Sequence, residues 1–210
     1  GVQSPLDKAS RMYLVSPTPG GPNAAGCIGP AWYPAFSPAS TVFTDSLSIE
    51  LSVGSPAAVI HYTLDGTEPT ESSFVYSNPI PITSSTVIKA ASYETDLGRS
   101  ETVTQGYIRL GTDVTSFQSN LPLVLLENFG AGDVPVDPYQ PVLLAMYDPV
   151  DGQSSLAHSA DIITRAGITL RGSSTLYQPK SHYRVETWQD TADEDKNIAP
   201  FGMPQESDWV

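Results

Sequence analysis

Residues 168–210 read ITLRGSSTLYQPKSHYRVETWQDTADEDKNIAPFGMPQESDWV. Two runs in this stretch have the pattern of strands. Gly167 to Arg171 is short, apolar and β-branched, and it ends on Gly172-Ser173-Ser174. His182 to Trp188 alternates: Tyr183, Val185 and Thr187 point one way, and His182, Arg184, Glu186 and Trp188 the other. Pro179-Lys180 sets one lysine beside a turn rich in Gly and Ser. Asp190 to Lys196 is an acidic loop, followed by Phe201-Gly202-Met203-Pro204 and Asp208-Trp209-Val210.

Three motifs stand here in a fixed order: R-G-S-S-T from Arg171, P-K-S-x-Y-R-V-E from Pro179, and G-M-P-x-x-S-D-W-V from Gly202. Together they resemble the N-terminal part of the CotH-like kinase family, secreted or spore-coat proteins with a divergent protein-kinase fold. The resemblance covers residues 120–210. It implies an N-lobe-like sheet in which Lys180 approaches the phosphates of ATP, with Arg171 and the amides of Gly172, Ser173 and Ser174 close by. Phosphoryl transfer calls for such cations and oriented N–H groups around spreading negative charge. The family's acidic metal-binding and catalytic residues lie beyond its D-W-V motif, so no catalytic residue is assigned within these 210 residues. A kinase built this way uses ATP and a divalent metal; this stretch by itself is expected not to transfer phosphate.

The chain has 210 residues, enough for one large or two small domains. Apolar residues at 40% and aromatics at 9% support a packed core. Nineteen Pro and 16 Gly punctuate short apolar runs, which is a mainly β pattern. The net charge of −13, with ten Lys and Arg against 23 Asp and Glu, gives no basic footprint for nucleic acid or an anionic membrane surface. Acidity of this kind is a solvated surface and suits an extracellular setting. Cys27, the single cysteine, can form no internal disulfide, and a buried, a free and an intermolecular thiol all stay open. No apolar run is long enough to span a bilayer, and no signal peptide is visible.

Upstream, residues 1–32 read as an extended arm or the end of a preceding domain. Met12 to Val15 has strand character, and Ser16 to Asn23 is a breaker-rich linker. The run S-P-T-P-G-x-x-N resembles the closing segment of lamin-tail-like domains. Residues 33–110 make one module. Leu47, Ile49, Leu51 and Val53 alternate with polar neighbours. Val59 to Leu64 ends on Asp65-Gly66, a hairpin signal. Strands at Phe74 to Tyr76, Ile80 to Ile82, Thr86 to Tyr93 and Glu101 to Leu110 complete an Ig-like β-sandwich. The string I-H-Y-T-L-D-G-T-E-P-T from Ile60, then Tyr76, Pro79-Ile80 and V-I-K-A-A-S from Val87, resembles the chitobiase/hexosaminidase C-terminal-type Ig-like module. Such modules are non-catalytic accessories in secreted multidomain proteins.

A second, partial β-rich domain follows a polar bridge at 111–119. Leu121 to Glu127 is a continuous apolar run and reads as a fully buried strand. Val142 to Tyr147 is another strand. Ser154 to Thr164 is more polar and reads as a crossover before Gly167. The whole is expected to be antiparallel-rich with little helix.

Other constellations are set against plain structural readings. Arg171 has two uses, binding phosphate or pairing with Glu186, and the pairing is the simpler. His61, His158 and His182 lie too far apart in sequence for a helical zinc motif. The acidic loop lacks the oxygen spacing of a calcium loop. Asp65, Thr67 and Glu68 form a turn, with a weak calcium site as the alternative. Trp32, Tyr33 and Phe36 either pack against the sandwich, the simpler reading, or stack on sugar rings. No P-loop, G-x-S-x-G or Cys-x-x-Cys occurs. Three functions are therefore carried forward. The first is part of a CotH-like protein at the cell surface. The second is a structural subunit that self-associates or takes protein partners by strand addition. The third is a glycan-binding adhesion module.

Overall fold

The structure, a computed structural model, describes residues 13–14, 26–27, 30–95, 97–172 and 180–209. It is mainly β, in several sheets, as the alternation and turn density predict. Strand β1 (Tyr13–Leu14) pairs antiparallel with β2 (Gly26–Cys27), which places Cys27 opposite Tyr13 along the backbone. The rest of the arm, including the segment compared with lamin-tail domains, lies outside the described residues.

The sandwich is built from β3 (Ala35–Ser37), β4 (Thr41–Phe43), β5 (Leu47–Ser52), β6 (Val59–Thr63), β7 (Phe74–Val75), β8 (Ile80–Ile82), β9 (Thr86–Tyr93) and β10 (Val103–Arg109). One sheet has the order β3-β5-β8 and the other β4-β10-β9-β6-β7. The alternation of β5 is realised: Ile49 and Leu51 are buried while Ser48, Glu50 and Ser52 face water. Gly66 follows Asp65 at φ +77°, the left-handed conformation that favours glycine in this turn. By contact the chain divides into two compact units. One has Glu50–Pro79 and Ile88–Val103 as its body; the other takes Pro38–Ile49, Ile80–Val87 and most of the chain from Thr104 onward.

The second unit is dominated by an antiparallel meander of β12 (Leu123–Glu127), β13 (Gln140–Tyr147), β15 (Ile162–Arg171), β16 (His182–Trp188) and β17 (Asp208–Trp209), in that spatial order. The two-residue strands β11 (Gln118–Ser119) and β14 (Ser154–Ser155) pair with each other. Two readings are corrected here. The segment Ser154 to Thr164 is not a crossover: its last residues join β15, which is ten residues long and pairs antiparallel with β13 from Met146↔Ile162 to Gln140↔Ile168. Leu121 to Glu127 is not a fully buried strand either. β12 is the edge of the meander, and Leu121, Val124 and Leu126 are exposed. An apolar run specifies a strand but not its place in the sheet, and the fully buried position belongs to β13.

Each face of the meander carries its own cluster. On one, Val142, Leu144, Met146, Ala166 and Ile168 meet Ile198, with Val185, Phe201 and Trp209 against them. On the other, Leu143, Ala145 and Tyr147 meet Ile108 and Leu110 at the end of β10. The second face also bears Trp188, which is 4% exposed and lies across Gly167. A Cβ on Gly167 would collide with the Trp188 ring and stand 2.9 Å from Tyr139 Cβ. Tyr139 meets the indole edge-on at 6.1 Å, and Glu186 accepts its Nε1–H at 2.7 Å. Gly167→Ala should therefore cost about 2 kcal/mol of unfolding free energy through overpacking, read from urea titrations. In a Trp188→Leu background the same change should cost much less; an equal penalty in both backgrounds would show that the indole is not the obstacle.

Candidate functional site

Several of the residues that the motifs single out lie at one end of the β15–β16 ladder. In the ladder Arg171 faces His182, Leu170 faces Tyr183 and Thr169 faces Arg184. Cross-strand partners share a face and alternate residues return to it. Arg171, His182 and Arg184 thus stand on one face, the same that carries Trp188 and Gly167 further along. All three are exposed, as is Lys180, two residues before His182. Gly172 has φ +114°, a backbone open to glycine and strained for other residues, so the chain leaves β15 in a direction a side chain would resist. Ser173 and Ser174 lie outside the described residues.

The charge around this end is unusual for the chain. From Ile162 to Val185 there is no Asp or Glu, although the sequence holds 23. Four other cations of the described residues are paired: Lys89 and Arg99 bind Glu68, Arg165 binds Asp193, and Lys196 binds Asp190, while Arg109 reaches only the Asp45 carbonyl. Arg171, Lys180 and Arg184 have no carboxylate within salt-bridge distance among the described residues. Burial pushes the Tyr139 phenol up from its ordinary value, against the opposing pull of the nearby Arg184. The pairing of Arg171 with Glu186 is corrected by register. Glu186 stands opposite Gly167, four positions from Arg171, roughly 13 Å along the strand at 3.3 Å per residue. Its carboxylate serves Trp188. His182 and Arg184 were visible as alternating residues, but their gathering beside Arg171 depends on hairpin register, which sequence spacing does not supply.

The remaining candidates fall elsewhere. His61 is buried, with Nδ1 3.2 Å from the Ser73 carbonyl and its ring edge-on to Tyr93. His158 and His182 are exposed. The acidic loop is partly structural: the Arg165 guanidinium, with its side chain 10% exposed, reaches Asp193 and the Gln189 and Ala192 carbonyls, while its carbon Cζ lies 5.8 Å from the Trp188 ring centre. Trp32 and Tyr33 lie on the surface of the sandwich and outside its core. They are 65% and 54% exposed; Phe36 alone is half-buried. Trp32 rests against Gly54, whose added Cβ would come within 3.2 Å of the ring.

At the sandwich turn, Asp65 Oδ1 accepts from the Thr67 amide at 3.1 Å and its hydroxyl at 2.6 Å, which holds the carboxyl below its ordinary value. Glu68 faces cations. It accepts from Lys89 Nζ at 2.6 Å, Thr102 Oγ1 at 2.6 Å and Arg99 Nη2 at 3.2 Å. Burial pulls its carboxyl up, but Lys89, Thr102 and Arg99 together hold it below the ordinary glutamate value.

Comparison with known families agrees with the sandwich. The family model described as the chitobiase/beta-hexosaminidase C-terminal domain matches residues 38–105. That stretch is similar to an Ig-like accessory domain. No curated protein matches the chain. The match ends at residue 105, before the meander. Among the described residues no helix is long and apolar enough to cross a membrane.

The Glu68 cluster has a pH signature. A carboxyl lowered by folding stabilises the protein above its unfolded value, near 4.5, and loses that contribution as pH falls through the folded value. Glu68→Gln should lower the thermal midpoint slightly at about pH 7, and the deficit should shrink as pH falls through the lowered folded value of Glu68; the effect is small because the side chain is 60% exposed. A deficit that persists undiminished in acid would sever the link to ionisation.

Proposed function

We propose that the meander is the N-lobe-like part of a CotH-like kinase domain, joined to an Ig-like accessory module in a secreted or cell-surface protein. The β15–β16 hairpin end receives the phosphates of ATP. The observation that supports this reading is that Arg171, His182 and Arg184 share one face of the β15–β16 ladder, with Lys180 two residues before His182, in a stretch without Asp or Glu and within a chain of net charge −13. The five-stranded antiparallel order of the sheet supports it as well. Arg171 offers a planar fork that fits two phosphate oxygens, and Lys180 a point charge on a long stem. The glycine at 172 lets backbone N–H groups approach an anion without a Cβ in the way. Nucleotide phosphates are bound as the magnesium complex; transfer needs acidic metal ligands, which the family carries beyond the D-W-V motif.

Exposed cations are screened by water and salt. The 210-residue protein should therefore bind a fluorescent ATP analogue weakly at low ionic strength and release it as salt is added. Lys180→Ala and Arg171→Ala should each weaken binding, by about fivefold. A protein extended through the acidic ligands should transfer phosphate in a Lys180-dependent way. Binding indifferent to both substitutions would overturn the site.

A second reading, assembly by strand addition between copies, has its own support. β12 is an edge strand with Leu121, Val124 and Leu126 exposed, the kind of edge that recruits another strand. Sedimentation should then show self-association that Val124→Lys abolishes; a monomer at all concentrations would exclude it.

A further inference from the structure

We infer that the β6–β7 end of the sandwich is a binding site for a neutral oligosaccharide. The cleft there has a volume of about 430 Å³ and is lined by Tyr62, Asp65, Thr67, Ser72, Ser73 and Phe74 among others. Tyr62 and Phe74 are direct cross-strand partners. Their ring centres are 5.6 Å apart and their planes differ by 38°, so they make a broad aromatic floor. Phe74 is 65% exposed on a two-residue edge strand, where its ring contributes little to the core.

The wall of the cleft is polar and fixed by its own turns. Asp65 Oδ1 is held by Thr67, which orients the carboxylate and leaves Oδ2 without a partner among the described residues. Ser73 Oγ accepts from the Thr70 amide at 2.9 Å and lies 3.5 Å from Thr70 Oγ1. Ser72 Oγ lies 3.1 Å from Thr70 Oγ1. The strand behind is pinned by His61 against the Ser73 carbonyl and by the Tyr76 amide on the Ile60 carbonyl at 2.9 Å. Little need move when a ligand arrives, which lowers the entropic cost of binding.

These groups select a chemical class. A pyranose ring with equatorial hydroxyls has an apolar C–H face and a polar rim. The face packs on a flat aromatic surface, and the rim exchanges hydrogen bonds with a carboxylate and hydroxyls at its edge. No Lys, Arg or His lines the cleft, so an anionic ligand meets an acceptor-rich wall and an acidic protein. A small organic cation would also find an aromatic floor beside Asp65, but it has no use for the serine and threonine hydroxyls. The site is independent of the hairpin and of any nucleotide.

The test uses the whole 210-residue protein, titrated by calorimetry and saturation-transfer NMR with cellohexaose, laminarihexaose and chitohexaose, and with tetramethylammonium chloride. At least one oligosaccharide should bind, with transfer strongest at ring C–H protons and with affinity unaffected by high salt. Phe74→Ala should weaken that binding at least tenfold and Asp65→Asn several-fold. Trp32→Ala, which removes an exposed ring elsewhere, should leave it unchanged. Both test positions are on the surface, and an unchanged circular dichroism spectrum confirms that the variants fold. The inference is overturned if none of the three oligosaccharides binds, if binding ignores Phe74 and Asp65, or if only the tetramethylammonium ion binds.

Discussion

The meander depends on one close approach, the Trp188 indole lying across the bare backbone of Gly167. The ring could not lie there over any other residue: a Cβ at 167 would occupy its space. Around this contact the neighbours are fixed in turn. Tyr139 meets the indole at its edge, Glu186 takes its N–H, and Arg165 lies 5.8 Å from the ring centre while it holds the acidic loop through Asp193 and two carbonyls. One packed aromatic thereby links two strands, the residue before β13 and a loop otherwise rich in repelling carboxylates.

The same sheet face runs on from this dry end to a wet one. Thr169, Arg184, Arg171 and His182 continue the row, with burial giving way to exposure of both partners at the last rung, Arg171 and His182. Rigid packing at one end and free cations at the other is a sound arrangement for an anion site, since the packed end sets the register that brings the cations together. The energetic limit is equally plain. Exposed charges in water contribute little each, so strong nucleotide binding would need further groups to exclude solvent.

Two charge arrangements serve different ends. The Glu68 cluster gathers two cations and a hydroxyl around one carboxylate and fastens β9 and the following turn to the loop after Asp65. The hairpin end leaves its cations uncompensated by carboxylates among the described residues. In an acidic chain the second pattern is the more informative, because unpaired like charges that are held together cost free energy unless something else repays it. The Tyr62–Phe74 floor makes a similar point in apolar terms, as an exposed aromatic pair adds little to stability where it stands.

Much of the architecture could be read from the residues alone. Leu47, Ile49 and Leu51 alternate with polar neighbours, Asp65-Gly66 marks its turn, and His182 to Trp188 alternates as a strand, because period and turn chemistry are local properties. Other features required the fold. Leu121 to Glu127 looks like a central strand, yet edge and centre differ only in what lies alongside. Arg171 and Glu186 look like partners, yet a register four positions removed parts them and puts His182 and Arg184 in their place. Asp193 looks like free charge but is bound to Arg165. Sequence sets what each residue can do within a turn or a strand; which residues meet across strands is decided by register and packing, and both candidate sites are made of such meetings.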